Sequence, residues 1–394
     1  MKKILFIAHF CNDFDTIGNN RFNYMAQHLS KDNDLTFVTT DFSHRKKTYR
    51  NKIDNFEGIK IQMIHEKPYK RNISLARLYA HRTFGRNLTK YLNSIVEKPD
   101  VIYCSVPSLD GAYSAIKYGR KNNIKVIIDI QDLWPEAFQL VLNIPFIFSP
   151  MRRMADYVYS NADILVAVSE TYINRAKKVN KDADTHIVFL GTNLNQFDEN
   201  VKKNQTKDVI DNDKFKICYC GSLSKSYDIK CLIDAFDILL KKGYTNISLN
   251  ILGDGTLRKD FESYAQTKNI SVNLMGHIPY PQMCALLSES DICVNPIIRN
   301  SAGSIINKHA DYAASGIPVV NSQESEEYRN LITKYNMGLN CNNSDPFDMA
   351  EKIEILLNNK DLRATMGANA RKCAEELFDR NITYKKIFDI IENT

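Results

Sequence analysis

The chain has 394 residues, of which 44% are hydrophobic and 25% charged, and its formal net charge is +6. This length allows two or three domains with sizeable cores, and this composition is that of a globular protein, which excludes a disordered or fibrous chain. No apolar run reaches the roughly 20 residues that a transmembrane helix needs, and the short apolar run at 3–9 predicts a first β-strand instead of a signal peptide.

Apolar β-type runs alternate with helical runs along the chain, and the pattern restarts after residue 200. In the first half, the predicted elements are a strand at 3–9, a helix at 22–29, strands at 35–40 and 60–64, a helix at 72–96, a strand at 101–105, a helix at 111–122, a strand at 125–130, a helix at 155–160 and a strand at 164–168. In the second half, they are a strand at 216–220, a helix at 228–241, a strand at 247–252, a helix at 257–266, a strand at 272–275, a helix at 281–288, strands at 292–296 and 318–322 with a helix between them, and two late helices.

This alternation predicts an α/β protein with parallel sheets that are covered by helices on both sides. A polar stretch at 198–213, rich in Lys, Asn and Asp, is the best candidate for a linker between two doubly wound domains. The predicted divisions are an N-terminal Rossmann-like domain at 1–195, a linker at 196–213, a second Rossmann-like domain at 214–377 and a C-terminal helix at 378–394.

The basic residues are concentrated in the first half. Residues 1–195 contain 28 Lys and Arg against 19 Asp and Glu, whereas the remaining residues contain 24 against 27, so the first half should face something anionic. Cations alternate with apolar and aromatic residues at 67–90, and a second cluster lies at 44–50. A helix of this kind suits an anionic membrane surface. Nucleic acid is the other electrostatic option, but no nucleic-acid motif accompanies the basic helix; an ordinary solvated helix is the third interpretation.

Cysteine usage indicates a reduced, cytosolic protein. The nine cysteines are scattered singly. Cys218 and Cys220 would point to one face of a strand, but no second pair completes a zinc set. The sequence therefore predicts no metal site.

The stretch at 301–320 is the strongest functional signal. A small polar loop with Gly303 and Ser304 runs into a predicted helix of about three turns that ends at Gly316. The free N–H groups at such a helix start favour an anion, and phosphate is the usual occupant. Lys308 and Asp311 are three residues apart, so they share a helix face and can address the same ligand. A helix–loop–strand unit of any nucleotide-binding α/β protein is the alternative.

The second half of this stretch, Asp311-Tyr-Ala-Ala-Ser-Gly-Ile-Pro-Val-Val320, resembles the donor-sugar motif of retaining family 4 glycosyltransferases of the GT-B fold. Asp311 stands where that motif has its second Glu, but Gly303 stands where the first Glu is expected. Asn307-Lys308-His-Ala-Asp311-Tyr is similar to a variant found in a subgroup that builds bacterial surface polysaccharides. The resemblance implies two Rossmann-like domains that face each other across a cleft, with the C-terminal helix crossing back to the first domain.

The resemblance also implies donor-binding residues in the second half. Gly253-Asp254-Gly255 is similar to a turn that lies near the nucleotide in relatives, although a tight turn alone would be common. Gly221-Ser222 begins a loop in which relatives carry a basic residue that meets the diphosphate, and Lys225 is the candidate here, with a solvated surface lysine as the alternative. Two further segments complete the implied donor site, namely His277-Ile278, which would lie against the nucleobase, and Gly303, Ser304 and Asn307, which precede or begin the phosphate-facing helix.

In the first half, the loop after the first strand contains Gly18, Asn20 and Arg21, where relatives carry a Gly-Gly loop that contacts the donor phosphate and the acceptor. Gly18 is the implied donor contact, Asn20 and Arg21 are implied acceptor contacts, and a helix-surface charge is the alternative for Arg21. Gln131 stands where family members often have a histidine of the catalytic site. Glutamine can bind a sugar hydroxyl but cannot exchange a proton near neutral pH.

Asp132 and Glu136 follow Gln131 and could hold acceptor hydroxyls, or they could cap the following helix. The implied catalytic residues are Asp311, Lys308, Lys225 and Gln131. Two cations opposite a diphosphate are reasonable because the leaving nucleotide gains negative charge as the glycosidic bond breaks.

Taken together, the resemblance implies a metal-independent hexosyl or N-acetylhexosaminyl transferase. It would move a sugar with retention from a UDP-sugar to a lipid-linked or growing surface-polysaccharide acceptor, with no cofactor besides the nucleotide-sugar co-substrate. The basic first half would bind the inner face of the bacterial cell membrane, as a peripheral cytoplasmic protein without a nucleic-acid partner. Two alternatives stay open: a non-catalytic nucleotide-sugar-binding scaffold of a polysaccharide assembly complex, and a GT-B-fold nucleotide-sugar epimerase.

Overall fold

The structure, a computed structural model, describes residues 1–14, 16, 18–72, 74–139, 145–204, 213–301 and 303–394. These residues form two compact units. Unit 1 consists of Met1–Phe189 together with Tyr384–Thr394, and unit 2 consists of Leu190–Thr383. The sequence placed the corresponding divisions at residues 195 and 378.

Residues 190–193 are held within unit 2 by the segment at 378–380. The Thr192 amide donates to the Phe378 carbonyl at 2.8 Å, and the Arg380 amide donates to the Thr192 carbonyl at 3.0 Å. Gly191 has a φ of 59°, and a Cβ there would overlap the Phe378 carbonyl oxygen, so the close approach depends on glycine. These contacts explain why the chain enters unit 2 earlier than the predicted linker.

Unit 1 is built around one large sheet. Its strands are β1 (Lys3–Ile7), β2 (Asp34–Thr40), β3 (Phe42–Ser43), β4 (Thr48–Tyr49), β5 (Asn55–Phe56), β6 (Ile59–Ile64), β7 (Val101–Val106), β8 (Lys125–Ile130), β9 (Ile164–Ala167) and β10 (Asp184–Ile187). Its helices are α1 (Arg21–Leu29), α2 (Leu75–Ser94), α3 (Leu109–Asn122), α4 (Glu136–Gln139), α5 (Ser149–Asn161) and α6 (Glu170–Lys177), with a 3₁₀ turn at Pro145–Phe148 and a last helix near the C-terminus.

The sheet of unit 1 has the order β10-β9-β8-β7-β1-β2-β6-β5 and is parallel except at the β5–β6 hairpin. All six residues of β7 are buried, as expected for a central parallel strand that has helices on both faces. Ser74 caps the N-terminus of α2, because its hydroxyl accepts the Arg77 amide proton.

Unit 2 contains the next elements in chain order. Its strands are β11 (Phe215–Cys220), β12 (Ile247–Leu252), β13 (Asn273–Gly276), β14 (Ile292–Asn295), β15 (Val319–Asn321) and β16 (Gly338–Asn340). Its helices are α7 (Leu194–Lys203), α8 (Ile229–Lys241), α9 (Arg258–Thr267), α10 (Tyr280–Ser288), α11 (Asn307–Ala314), α12 (Glu326–Tyr335), α13 (Pro346–Asn358), α14 (Lys360–Cys373) and α15 (Arg380–Thr383), with a π-helical turn at Ala374–Phe378.

The sheet of unit 2 is parallel and has the order β13-β12-β11-β14-β15-β16. This is the order of a doubly wound dinucleotide-binding fold, in which the strand order reverses between the first and fourth strands. The predicted α/β class with parallel sheets is therefore confirmed. Among the described residues, no helix is both long enough and apolar enough to cross a membrane.

Several elements differ from the sequence prediction. The helix expected to span about three turns after residue 301 is α11, which has eight residues and ends before Gly316, where φ is 68°. The linker predicted at 196–213 is partly the helix α7, and residues 205–212 lie outside the described residues. The helix α6 was not predicted. The edge strand β10 was not predicted either, because it is short and mixes polar with apolar residues.

The last helix of the chain, α16 (Lys385–Asn393), completes the core of unit 1. Tyr384, Ile387 and Ile391 are fully buried in that core. The helix is therefore part of the sheet packing of unit 1 although it follows the whole of unit 2 in sequence.

We expect Ile391→Ala to destabilise unit 1 by about 2–5 kcal/mol, because it removes buried methyl groups and leaves a cavity. The control Val96→Ala, in a side chain that is 93% exposed in the same unit, should change the free energy of unfolding by no more than about 0.5 kcal/mol. Urea unfolding followed by fluorescence measures both, since Trp134 is the only tryptophan and lies in unit 1. Equal effects of the two substitutions would contradict the packing of α16.

Candidate functional site

The candidate site of unit 2 lies where its strand order reverses. β11 and β14 are neighbours in the sheet, and their connections leave in opposite directions, to β12 and to β15. Ligands of doubly wound sheets bind beyond the carboxyl ends of the strands at this point. β11 ends at Cys220 and continues into the loop with Gly221, while the connection that follows β14 leads to α11.

Lys308, the second residue of α11, is buried without a hydrogen-bond partner for its ammonium group. The residue is 8% exposed, and Nζ has no hydrogen-bond partner among the described residues. Nζ lies 4.3 Å from the ring centroid of Tyr219 and 3.9 Å from that of Tyr227. Burial lowers the pKa of Lys308 to about 7. Two aromatic faces offset part of the cost of burying a cation, but an anion would compensate the charge far better.

The Lys308 ammonium group lies against the glycine that follows β11. A Cβ at Gly221 would meet Nζ at 2.8 Å and Cε at 3.2 Å. Gly221 has a φ of 152°, and its amide donates to the Leu252 carbonyl at 2.9 Å. A side chain at position 221 would therefore occupy the space beside the cation, and glycine leaves it available.

The loops after β11 and β12 are packed backbone to backbone. A Cβ at Gly253, where φ is 155°, would overlap the Gly221 carbonyl oxygen, and a Cβ at Gly255 would overlap the Leu223 carbonyl oxygen. The Leu223 amide donates to the Asp254 carbonyl at 3.0 Å. The structure thus brings together three of the predicted donor-binding glycines at the end of the sheet, and both loops depend on the missing side chains.

The loop before α11 is fixed by its carbonyl groups. The side-chain amide of Gln323 donates through Nε2 to the Gly303 carbonyl at 2.6 Å and to the Ser304 carbonyl at 2.8 Å. The Ser304 hydroxyl donates to Glu327 at 2.6 Å, and the Ile306 amide donates to Nδ1 of His309 at 3.3 Å. Because these carbonyls are bound from the protein side, the loop enters the helix in one fixed conformation, which pre-organises the start of α11.

Three residues that fix this loop, Gln323, Glu327 and His309, were not predicted from the sequence. Gln323 is 1% exposed and lies just after β15, while His309 is 1% exposed and stacks on Tyr328 with ring centroids 3.4 Å apart. The only signal in the sequence was a run of polar residues, Asn321 to Gln323, directly after a short apolar strand. Buried polar residues at that position require partners.

Asp311 and Lys308, which were expected to address the same ligand from one helix face, contact different groups in the structure. Asp311 is 9% exposed, and its Oδ1 accepts the hydroxyl proton of Tyr280 at 2.9 Å. The Tyr280 hydroxyl also lies 2.9 Å from Oγ1 of Thr192, and burial raises the pKa of Tyr280. Asp311 therefore belongs to a hydrogen-bonded chain inside unit 2, whereas Lys308 lies between Tyr219 and Tyr227.

The remaining donor-site predictions fall on more accessible positions. The exposed residues are Ser222, Lys225, Asp254, His277 and Asn307, while Gly303 and Ile278 are half-buried. Lys225 lies in the turn between β11 and α8, and Asn307 is the first residue of α11. The Ser222 carbonyl accepts the Tyr219 hydroxyl proton at 2.8 Å, which fixes one of the two rings beside Lys308.

In unit 1, Arg21 is paired inside the protein. It is 6% exposed, its guanidinium donates to both Asp129 oxygens at 3.2 and 3.1 Å, and it donates to the Tyr384 hydroxyl at 2.7 Å. Gln131 donates to the same Asp129 carboxylate at 2.7 Å. The predicted acceptor-binding role of Arg21 is not supported by this pairing, because its charge is already compensated by a fully buried carboxylate.

The other predicted first-half residues also make local contacts. The side-chain amide of Asn20 donates through Nδ2 to the Thr16 carbonyl at 2.6 Å, and its backbone amide donates to the Gly18 carbonyl at 2.9 Å. Asp132 accepts from the Leu133 amide at 2.9 Å and from the Trp134 indole at 3.2 Å, and burial raises its pKa to about 6. Glu136 is ion-paired with Arg175.

A buried polar cluster near the start of unit 1 was not predicted. Nε2 of His9 lies 2.7 Å from Glu66, and Nδ1 lies 2.6 Å from the Ser108 hydroxyl. His81 stacks on Trp134 with centroids 5.3 Å apart. The guanidinium of Arg77 lies 4.5 Å from the Trp134 ring centroid. Across the residues that the structure describes, no group of three or more His, Cys, Asp or Glu side chains is arranged to hold a metal ion.

Both the sequence of unit 2 and the chain as a whole are similar to known proteins. Residues 200–373, most of unit 2, match the family described as glycosyl transferases group 1. The chain is 25% identical over 342 residues to the capsular polysaccharide biosynthesis glycosyltransferase CapM of Staphylococcus aureus, and the match covers 83% of this chain and 84% of that protein.

Two solved structures share the fold. Anabaena HepE in complex with UDP matches over 100% of both chains, with a TM-score of 0.74 and 14% identity. Sucrose-phosphate synthase from Thermosynechococcus elongatus covers 100% of this chain and 99% of its own, with a TM-score of 0.77 and 16% identity. Such likeness shows the fold, and the GT-B fold predicted from the sequence is confirmed.

We expect Gly253→Ala to destabilise unit 2 by about 3 kcal/mol or more, because the added Cβ would overlap the Gly221 carbonyl oxygen in a strained backbone region. Gly243→Ala is the matched control, since its φ is 97° but no atom lies within 4 Å of an added Cβ. It should cost about 1–2 kcal/mol, from backbone strain alone. Thermal unfolding by circular dichroism compares them. A smaller effect at position 253 than at 243 would contradict the close packing of the two loops.

Proposed function

The chain is a glycosyltransferase of the GT-B fold, and we propose that it moves a sugar with retention from a UDP-sugar to a lipid-linked or growing surface-polysaccharide acceptor. The proposal places it among family 4-like enzymes that need no metal and no cofactor besides the nucleotide sugar. The similarity to CapM, a capsular polysaccharide biosynthesis glycosyltransferase, supports a role in capsule synthesis, and the UDP bound to HepE supports a uridine donor.

The single observation that carries the proposal is the buried ammonium group of Lys308 beside Gly221, which no described residue pairs or hydrogen-bonds. Such a cation is costly in a free protein, and an anionic ligand would remove that cost. It lies at the start of an eight-residue helix, whose N-terminal N–H groups add to the attraction for phosphate. A nucleoside diphosphate supplies the required negative charge in a compact group.

In the proposed reaction, the bond between the anomeric carbon and the diphosphate oxygen breaks. The acceptor hydroxyl oxygen forms a bond to the same carbon on the same face, and the departing diphosphate takes the bonding electron pair and the hydroxyl proton. Lys308 would stabilise the charge that develops on the diphosphate. Gln131 cannot exchange a proton near neutral pH, which agrees with a mechanism in which the leaving group acts as the base.

The acceptor side of the proposal depends on charge. The excess of Lys and Arg in residues 1–195 supports peripheral binding to the inner face of the cell membrane, where an acceptor on a lipid phosphate carrier would be reached. Neither alternative drawn from the sequence, a non-catalytic scaffold or an epimerase, is favoured by the proteins that match this chain.

The test is incubation of purified protein with a panel of labelled UDP-sugars and bacterial membrane lipid extract. We expect label in the lipid fraction with one donor and a loss of about 100-fold in Lys308→Met, the usual effect of removing one group that stabilises transition-state charge. Thermal stability of Lys308→Met should not fall, because a methionine has no charge to bury. The control Lys334→Met, on an exposed position of α12, should match the wild type in both measurements. UDP binding without any labelled lipid would favour the scaffold, and equal loss of stability and activity would make Lys308 structural.

UDP affinity should fall as pH rises above about 7, because the free protein then holds Lys308 neutral and must take up a proton to bind the diphosphate. The pKa of Lys308 is lowered by burial to about 7, so the expected decline approaches about tenfold per pH unit until the pKa of the bound form is reached. Calorimetry between about pH 7.5 and 9.5, where a terminal phosphate with a pKa near 6 is fully ionised, should also detect proton uptake.

Lys308→Arg is the control for this pH dependence, since a guanidinium stays charged throughout the range. If Lys308→Arg binds UDP, its affinity should be flat with pH. A flat profile in the wild type would contradict the role of Lys308.

A further inference from the structure

The exposed face of α2 changes from apolar to basic along its length. Leu75, Leu78 and Tyr79 in its first two turns are 84%, 41% and 57% exposed, and Arg82 and Arg86 continue the same face with helical spacing. Three large apolar side chains in solvent on one face form a patch that usually marks an interaction surface. The adjoining cations indicate that what binds there has an anionic group next to an apolar part.

A cavity of about 220 Å³ opens on this face. Its lining includes Leu78 and Arg82 from α2, together with Trp134, Ile147, Met151 and Met154. The volume is below the roughly 300–1,000 Å³ of sites that enclose whole small molecules, yet it exceeds the 150 Å³ of an apolar cavity that accepts benzene. The cavity therefore suits a segment of hydrocarbon chain and is too small for a nucleotide sugar.

The apolar surface continues beyond the cavity on the 3₁₀ turn before α5. Phe146 and Ile147 are 88% and 65% exposed, and Arg152 and Arg153 in the first turns of α5 are also exposed. Apolar side chains flanked by cations on two separate elements repeat the pattern of α2. This arrangement complements the hydrocarbon and phosphate regions of an anionic lipid.

Two polar groups border the cavity. Nε2 of His81 is buried and has no hydrogen-bond partner among the described residues. His81 is only 3% exposed, and its ring packs on Trp134. Arg82 lies 3.4 Å from Asp110 and keeps more than half of its side chain exposed. A phosphate at the mouth of the cavity could thus bind Arg82 on its solvent side, opposite Asp110.

We propose that this cavity binds the hydrocarbon chain of the lipid phosphate that carries the acceptor, with the phosphate at Arg82. The inference rests on the proposed function, because it assigns the place in unit 1 where the lipid part of that acceptor is held. All of the residues concerned lie in unit 1, so the lipid site can be tested separately from Lys308 and UDP.

Trp134 makes the test direct, because the only tryptophan of the chain lines the cavity. Farnesyl phosphate is the probe, and farnesol and inorganic phosphate are the comparison ligands. We expect a saturable change in tryptophan fluorescence with farnesyl phosphate, a weaker one with farnesol and none with inorganic phosphate. Absence of a change with farnesyl phosphate, or an equal response to inorganic phosphate, would overturn the proposal.

Leu78→Glu and Leu75→Glu form a matched pair on the same exposed helix face, because Leu78 lines the cavity and Leu75 does not. Leu78→Glu should weaken farnesyl phosphate binding by about tenfold or more, since it places a carboxylate at the cavity mouth, whereas Leu75→Glu should stay within about twofold. Equal weakening would indicate a general membrane surface without a cavity site. A halved mass of Leu78→Glu in light scattering would instead indicate that a second copy of the chain covers this face, and either result would overturn the proposal.

The lipid-labelling assay separates this inference from the proposed function. If lipid is labelled by Leu78→Glu as strongly as by the wild type at limiting lipid, the cavity assignment is wrong and the function stands. If no donor labels lipid but farnesyl phosphate binds with the expected dependence on Leu78, the function is wrong and the lipid site stands.

Discussion

A lysine ammonium group held between two tyrosine rings, with no hydrogen-bond partner in the part of the chain that the structure describes, is the constraint on which the candidate site depends. Lys308 needs Gly221 beside it, since any side chain there would meet the ammonium group. Gly221 in turn needs Gly253, because the two loops approach backbone to backbone. The ring of Tyr219 is fixed by the Ser222 carbonyl. These features surround the buried cation with aromatic faces and glycine backbone, and no described residue supplies an anion beside it.

The two units treat buried cations in opposite ways. In unit 1, the Arg21 guanidinium is compensated by the Asp129 carboxylate, which also accepts a hydrogen bond from Gln131, and Arg21 donates to the Tyr384 hydroxyl as well. Its charge is therefore balanced without a ligand. In unit 2, the Lys308 ammonium group faces two tyrosine rings and has no hydrogen-bond partner among the described residues, and burial lowers its pKa. In a buried ion pair the two charges offset each other's desolvation free energy. A buried cation without an anion keeps that unfavourable free energy until an anionic ligand binds.

The fold could be predicted from the sequence to a large extent, because apolar periodicity reports burial directly. The strands at 125–130 and 247–252 were predicted with the bounds that the structure has. At the site, the resemblance pointed to the glycine loops, and the helix position pointed to Lys308; the structure places both at the carboxyl end of the unit 2 sheet, and their roles stay predictions. Gln323 could not be predicted, since its partners are the carbonyl groups of Gly303 and Ser304, 20 and 19 residues earlier in the sequence. His309 could not be predicted, since its ring stacks on Tyr328 of another helix. The pairing of Arg21 with Asp129 was not predicted either, because Arg21 begins the helix α1 and Asp129 lies on the strand β8, far along the chain.

The position of α16 has a consequence for how the chain is made. The chain leaves unit 1 after Phe189 and returns to it only at Tyr384. A ribosome must therefore synthesise all of unit 2 before the residues that complete the core of unit 1 emerge. Until then, the groove that Ile387 and Ile391 occupy is an apolar surface on an otherwise assembled sheet, and it is open to chaperones or to self-association. Completion of the first half of this protein is thereby coupled in time to translation of the second.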